Sequence, residues 1–265
     1  MRSGVNTLGI TDHDTFVGYD KAIAPARAAG IDLVCGIELS TKLHGRSVHL
    51  LGYFFGEGSL GSFREWVLEL QVSRRDRNVR LADRLQELGF DVTIEEVIAR
   101  GRGMAGRPHF AQIMVEKGYV ANLRQAFDDY LDESAIGYVS RMEPNFAEGV
   151  ERIRAAGGIA SLAHPVRVRE DVSAIMPELC DAGLNAIEAY HSDHAPQDTA
   201  LYLELAQKYG LLVTGGSDFH GEVKPGVRLG SGCAGNLQIP EDLVDTLRQA
   251  VARGDVEAGA SRSGD

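Results

Sequence analysis

The sequence predicts an α/β protein in which short strands alternate with helices and one all-helical segment is inserted. Three observations carry this. Short apolar runs recur, each followed by an amphipathic stretch, at Thr7 to Thr11, Asp32 to Ile37, Ile159 to Ala163, Asn185 to Ala189 and Leu211 to Thr214. Gly30, Gly157, Gly183 and Gly210 fall where the intervening helices should end. From about Ser62 to Leu131 no run reads as a strand.

The elements follow in chain order. After the strand at Thr7 comes a helix closed by Gly30, then a strand running through Glu38 and a return strand through His49. Leu43-His44-Gly45 reads as the turn between them. Counted as a three-residue loop it sets Glu38 opposite Leu50, and one bulge would bring Glu38 opposite His49. The inserted segment opens with a long helix, Phe63 to Leu88, stopped by Gly89. Thr93-Ile94-Glu95-Glu96 is a capping box, Arg107-Pro108-His109 opens a further helix, and Asn122 is an N-cap for the stretch carrying Phe127 and Tyr130. The βα rhythm then resumes, with His191 at a strand end and a helix start at Pro196. The expected organisation is one discontinuous domain, 1–61 and 141–255, around an insertion, 62–140. A Gly, Ser and Ala-rich tail, 256–265, is expected to be disordered.

The 265 residues carry a net charge of −11, which argues against broad gripping of duplex nucleic acid or of an anionic membrane. Cys35, Cys180 and Cys233 form no C-x-x-C pair, so neither a disulfide framework nor a thiolate metal site is expected. No apolar run is long enough to span a bilayer and the first residues are no signal peptide, so a soluble, cytoplasmic protein is expected. Nothing in the sequence fixes the oligomeric state.

The chemistry gathers at strand ends, where side chains of parallel βα architectures converge on one mouth. These ends read Thr11-Asp12-His13-Asp14, Gly36-Ile37-Glu38, Ala163-His164-Pro165 and Gly216-Ser217-Asp218-Phe219-His220. A single strand histidine is more often a hydrogen-bonded core residue than a ligand. Several carboxylates and imidazoles buried together cost too much unless cations or ion pairs compensate them, and bound metal becomes the cheaper explanation. His44 in the turn is expected to be merely solvated. Arg100 to His109 holds three arginines and no acid, and both arginine and helix N-termini suit phosphate.

Thr-Asp-His-Asp-Thr at 11–15, Gly-Ile-Glu-Leu-Ser at 36–40, His-Leu-Leu-Gly-Tyr at 49–53, Ala-His-Pro at 163–165 and Gly-Ser-Asp-Phe-His-Gly at 216–221 together resemble the PHP (polymerase and histidinol phosphatase) family. Arg-Pro-His-Phe at 107–110 and Phe-x-x-Tyr-Leu at 127–131 are similar to the branch acting on 3',5'-bisphosphorylated nucleotides and on the 5' ends of short RNAs. The resemblance implies a distorted seven-stranded β/α barrel with a helical insertion. Up to three divalent ions would sit at its mouth, manganese as the first expectation and iron or zinc as alternatives. Glu38 would bridge two ions, His49 and His164 would complete one site, His13 and His220 would serve another, and Asp218 the third. Arg107, His109 and His191 would hold substrate phosphate, and His109, His191 and Asp14 are the catalytic candidates. Family members begin with a strand carrying His-x-His, which has no equivalent here, so the barrel is expected to lack its first strand and the sequence to start downstream of it. The implied reaction is hydrolysis of nucleotide phosphate monoesters by a metal-activated hydroxide. Alternatives are a histidinol-phosphate-type phosphatase, a metal-dependent amidohydrolase, or a nucleotide-binding barrel without turnover.

Overall fold

Six strands join into one sheet in the order β1-β2-β3-β4-β5-β6: β1 (Thr7–Ile10), β2 (Asp32–Leu43), β3 (Arg46–Phe54), β4 (Ile159–Leu162), β5 (Ala186–His191) and β6 (Leu212–Gly216). The computed structural model of the chain describes residues 4–56, 60–101, 105–221 and 224–254. Among these no seventh strand joins the sheet. The two-residue strands β7 (Val227–Arg228) and β8 (Gly232–Cys233) pair only with each other. Six strands, with β1 and β6 at the two ends of the order, agree with the distorted barrel expected to lack its first strand. The tail expected at 256–265 lies outside the described residues.

Strand pairing is mixed. β1–β2, β4–β5 and β5–β6 are parallel, while β3 runs antiparallel to both β2 and β4. The β2–β3 hairpin closes through a two-residue turn, His44-Gly45, rather than a three-residue loop, with Leu43 paired to Arg46. Both turn residues have positive φ, 47° and 78°, the combination that matches strand twist in a type I′ turn. The register differs from the one counted from sequence: Glu38 faces Leu51, and His49 faces Ser40, with no bulge.

The helices of this sheet unit are α1 (Val17–Ala29), α6 (Phe146–Ala155), α7 (Val172–Asp181), α8 (Pro196–Tyr209) and α9 (Leu243–Ala252), with a 3-10 turn at Pro165–Arg167. Gly30 and Gly210 close α1 and α8 in the left-handed conformation that a Cβ disfavours. Leu243 and Leu247 of α9 pack on Ile159 and Ala186 of the sheet. Gly149 of α6 lies so near the hairpin that a Cβ would stand 2.9 Å from Thr41 Cγ2 and 3.0 Å from Leu50 Cδ1.

The chain divides into two compact units, Met1–Glu65 with Pro144–Asp265, and Trp66–Glu143; the boundary falls within α2 (Leu60–Glu87). The second unit is helical: most of α2, then α3 (Ile94–Gly101), α4 (Arg107–Glu116), α5 (Leu123–Ala126) and a π-helical turn at Phe127–Leu131. Its core gathers Leu81, Leu85, Val97, Phe110, Met114 and Leu131. Thr93 and Glu96 make the reciprocal capping bonds, 3.3 and 2.9 Å, and Asn122 Oδ1 accepts the Gln125 N–H at 3.0 Å. No helix among the described residues is long and apolar enough to cross a membrane.

Candidate metal centre

Glu38 is the hub of the site. It lies inside the long strand β2, 5% exposed, and three imidazoles converge on its carboxylate. Oε1 is 2.7 Å from His49 Nδ1 and 3.0 Å from His164 Nε2, and Oε2 is 3.4 Å from His13 Nε2. His49 Nδ1 and His164 Nε2 are themselves 3.2 Å apart. Burial pushes the Glu38 carboxyl up, but His13, His49 and the imidazole hydrogen bonds outweigh it and hold the group well below the usual carboxylate range.

Each histidine arrives by a different route. His13 follows β1 and forms a parallel bridge with Glu38. His49 reaches the site from β3 because, facing Ser40, it shares a sheet face with Glu38 two residues along. His164 follows β4 at φ 27° and ψ 63°, a conformation non-glycine residues seldom adopt, and its N–H donates to Glu188 Oε2 at 2.6 Å. Burial pulls the His164 imidazole down, favouring the neutral ring that can act as a ligand.

A second group centres on Asp218, at φ 50° just beyond β6. Lys224 Nζ stands 2.5 Å from Oδ2, Arg167 Nη2 2.9 Å from the same oxygen, and His220 Nδ1 3.3 Å from Oδ1. Burial raises the Asp218 carboxyl, yet His191 and Lys224 bring it well below normal. Arg167 also binds Asp193 through Nε at 2.9 Å. His191 Nε2 is 3.6 Å from Asp218 Oδ2, too long for a hydrogen bond, and its Nδ1 accepts the Asp193 N–H at 3.0 Å.

The two groups are joined by a row of imidazoles. Ring centroids step 6.3 Å from His220 to His13, 4.8 Å to His49, 5.1 Å to His164, 5.8 Å to His191 and 5.2 Å to His194. Of the buried nitrogens in this row, His164 Nδ1, His191 Nε2 and His194 Nε2 have no hydrogen-bond partner among the described residues.

His13, Glu38, His49, His164, His191, Asp218 and His220 therefore all lie in the sheet unit, and the structure brings them together. Asp14 lies there too, fully buried, with Oδ1 accepting the Ser40 N–H at 2.8 Å and its own N–H donating to Glu38 O at 2.9 Å. Arg107 and His109 belong to the helical unit. Arg107 Nη1 donates to Leu131 O at 3.3 Å, and Gly106 N–H donates to His109 Nδ1 at 3.1 Å. His44 is not merely solvated: Nδ1 is 3.0 Å from Glu170 and Nε2 2.9 Å from Glu178.

Sequence reasoning missed Glu188, Arg167, Asp193 and Lys224. Glu188 is 4% exposed and burial pushes its carboxyl up to about 8. Its signal was an acid in the middle of the apolar run Ala186 to Ala189. A register shift between Glu188 and Tyr190 supplies the extra residue that lets Glu188 and His191 both reach His164 from one strand.

The donor set fits a divalent cation. The ligand atoms of His13, Glu38 and His49 all lie within 4.8 Å of one another, and His164 adds a fourth donor on the same carboxylate oxygen as His49. Imidazole and carboxylate without thiolate suit manganese, iron or zinc, and do not choose among them.

Comparison with known proteins supplies the context. No family model matches the chain. It is 30% identical over 220 residues, 82% of the chain and 80% of the relative, to a 5'-3' exoribonuclease of Haemophilus influenzae. It is 32% identical over 228 residues, 83% of the chain and 84% of the relative, to the phosphoribosyl 1,2-cyclic phosphate 1,2-diphosphodiesterase of Eggerthella lenta. A 3',5'-nucleoside bisphosphate phosphatase of Chromobacterium violaceum matches at 29% over 218 residues, 80% of the chain and 76% of the relative. Among solved structures, one from Bifidobacterium adolescentis described as a metal-dependent phosphoesterase superposes with a TM-score of 0.79 at 27% identity, covering 97% of this chain and 88% of that one. With these relatives, and with its carboxylate and imidazole hub, the chain belongs to the PHP family of metal-dependent phosphoesterases.

Proposed function

We propose that the chain hydrolyses phosphate monoesters of nucleotides, either 3',5'-bisphosphorylated nucleotides or the 5' ends of short RNAs. The observation that carries this reading is one buried carboxylate, Glu38, shared by three imidazoles from three separate segments. His13, Glu38, His49 and His164 are the residues that would hold the metal, with Asp218 and His220 as the further ligand group. Divalent ions held there would lower the pKa of a bound water and neutralise phosphoryl oxygens.

The chain's own residues would do the rest. His191 and His109 each accept a backbone N–H at Nδ1, which leaves the neutral ring's proton on Nε2. The Nε2–H of each neutral ring is thus a hydrogen-bond donor for a phosphoryl or leaving oxygen, and burial, which pulls the His109 imidazole down, favours that neutral form. Arg107 would bind a phosphoryl group. Asp14, the remaining catalytic candidate, also acts by position: its side chain fixes the Ser40 amide and its backbone fixes Glu38, which holds the hub in place.

The test is phosphate or nucleotide release by the chain loaded with manganese, iron or zinc. Substrates would be a 3',5'-bisphosphonucleotide, a 5'-phosphorylated short RNA, a cyclic phosphodiester, histidinol phosphate and an amide. Preference for either nucleotide substrate, lost in Glu38→Gln, is expected. Preference for histidinol phosphate or the amide would overturn the assignment. The cyclic diester is included because the relative at 32% identity bears that activity in its name.

A further inference from the structure

His164 is aimed without help from the far side of its own ring. Its Nε2 meets Glu38 Oε1 at 3.0 Å, but the buried Nδ1 has no hydrogen-bond partner among the described residues. A histidine that holds a metal almost always has its second ring nitrogen bonded to a carboxylate, a carbonyl or water, which fixes the ring plane. Here the direction must come through the backbone instead. That backbone sits at φ 27° and ψ 63°, outside the regions side chains favour, so it keeps this shape only where its surroundings hold it. Ala163 N–H donates to His49 O at 3.1 Å, and Arg167 N–H to His164 O at 2.9 Å. Between these two backbone ties, the His164 N–H itself donates to a side chain, Glu188 Oε2, at 2.6 Å.

Glu188 stands on β5, between β4 and β6, and is 4% exposed. A carboxyl buried in an apolar strand is costly unless it is hydrogen-bonded, and its one hydrogen-bond partner among the described residues is the His164 N–H. Its other oxygen, Oε1, faces Gly216, where even an added Cβ would stand at an ordinary contact distance of 3.4 Å. The carboxyl is therefore held by the bond at Oε2 and is not wedged by Gly216. We propose that Glu188 is a positioning residue of the metal centre: its Oε2 holds the His164 peptide in the left-handed turn and so aims the imidazole Nε2 at the Glu38 carboxylate. The role requires an acceptor oxygen at that reach and no negative charge. It rests on the metal centre of the reading above and is independent of the substrate.

The experiment compares wild type with Glu188→Gln, which keeps an acceptor oxygen, and Glu188→Leu, which has none. The first readout needs no metal: deuterium exchange of the His164 amide in the full chain stripped by a chelator, followed by NMR. Wild type and Glu188→Gln should protect the amide alike, and Glu188→Leu should exchange it at least about tenfold faster. The second readout is titration with cobalt(II), whose visible absorption reports the ligand set. Glu188→Leu should weaken binding about tenfold or more and change the spectrum, while Glu188→Gln should stay within about threefold and keep the wild-type spectrum. Melting of the metal-free proteins establishes folding, and Glu188→Met takes the place of the leucine variant should that one not fold. Equal losses in both variants would make Glu188 a ligand or a charge the centre needs, and overturn the proposal. Cobalt binding unchanged in the folded leucine or methionine variant overturns it too, whatever the exchange. No cobalt bound by wild type sinks the metal centre itself, whereas wild-type binding without acceptor at 188 sinks only the role of Glu188.

Discussion

Glu38 Oε1 lies 2.7 Å from His49 Nδ1 although the two residues are not cross-strand partners: the ladder pairs Glu38 with Leu51 and His49 with Ser40. The contact runs along a diagonal of the sheet, which only a long side chain at each end can bridge.

Replacing Glu38 by glutamine keeps the shape and removes the charge that gathers three imidazoles. Metal retained after desalting, measured by elemental analysis, should fall to about a tenth or less of wild type, and phosphate release by two orders of magnitude or more. The stabilisation from added metal, about 2.7 kcal/mol at a hundredfold excess over Kd, should vanish from the melting curve. Wild-type metal content in this variant would refute the hub.

Asp218→Asn leaves Arg167 and Lys224 without their shared carboxylate. Both cations are about a third exposed, so solvent softens the loss and a cost of about 1–3 kcal/mol is expected in the metal-free protein. Urea denaturation in the presence of chelator measures it, and an unchanged midpoint would show that the network contributes nothing.

His44 carries a pH signature unconnected with metal. Hydrogen bonds donated by the His44 ring to the Glu170 and Glu178 carboxylates raise its folded-state pKa above 6.5, so the pairing contributes stability fully present below 6.5 and lost as pH rises through the raised value. The melting temperature of wild type should therefore exceed that of His44→Gln near pH 6, with the difference closing on the alkaline side. A difference independent of pH would contradict the ion pairs.

Gly149→Ala sets two effects against each other. Alanine gains up to about 1 kcal/mol in a helix interior, while overpacking costs about 1–3 kcal/mol. Thr41 cannot turn aside, because its Oγ1 is bonded to Val48 O at 2.7 Å, and Leu50 is fully buried. Net destabilisation by about 1 kcal/mol is expected from chemical denaturation; a more stable variant would mean that α6 sits farther from the hairpin.

The hub residues were legible because each stands at a change of pattern: His13 and His164 at the ends of apolar runs, Glu38 as an acid inside one, His49 on the return strand. The capping residues Thr93 and Asn122 were legible for the same local reason. Glu188 was not, because a period-two reading of β5 turns it away from His191, and the bulge that reunites them leaves no mark beyond Gly215, which must be small to pass Tyr190. Arg167 and Lys224 escaped because their meeting at Asp218 is set by tertiary placement of loops, and Asp193 because it joins them only through Arg167. The hairpin register failed by one residue, since nothing in Leu43-His44-Gly45 says whether leucine belongs to strand or turn until both His44 and Gly45 are seen at positive φ.

That short reversal at His44-Gly45 makes the reactive geometry a matter of parity. Side chains along a strand alternate between faces, so a one-residue insertion absorbed as slippage of the ladder would swing His49 to the far side and leave Glu38 one imidazole short. A two-residue insertion absorbed the same way would restore the facing direction but move the ring roughly 7 Å along the strand. The length of this loop is thus tied to the geometry of the Glu38 hub.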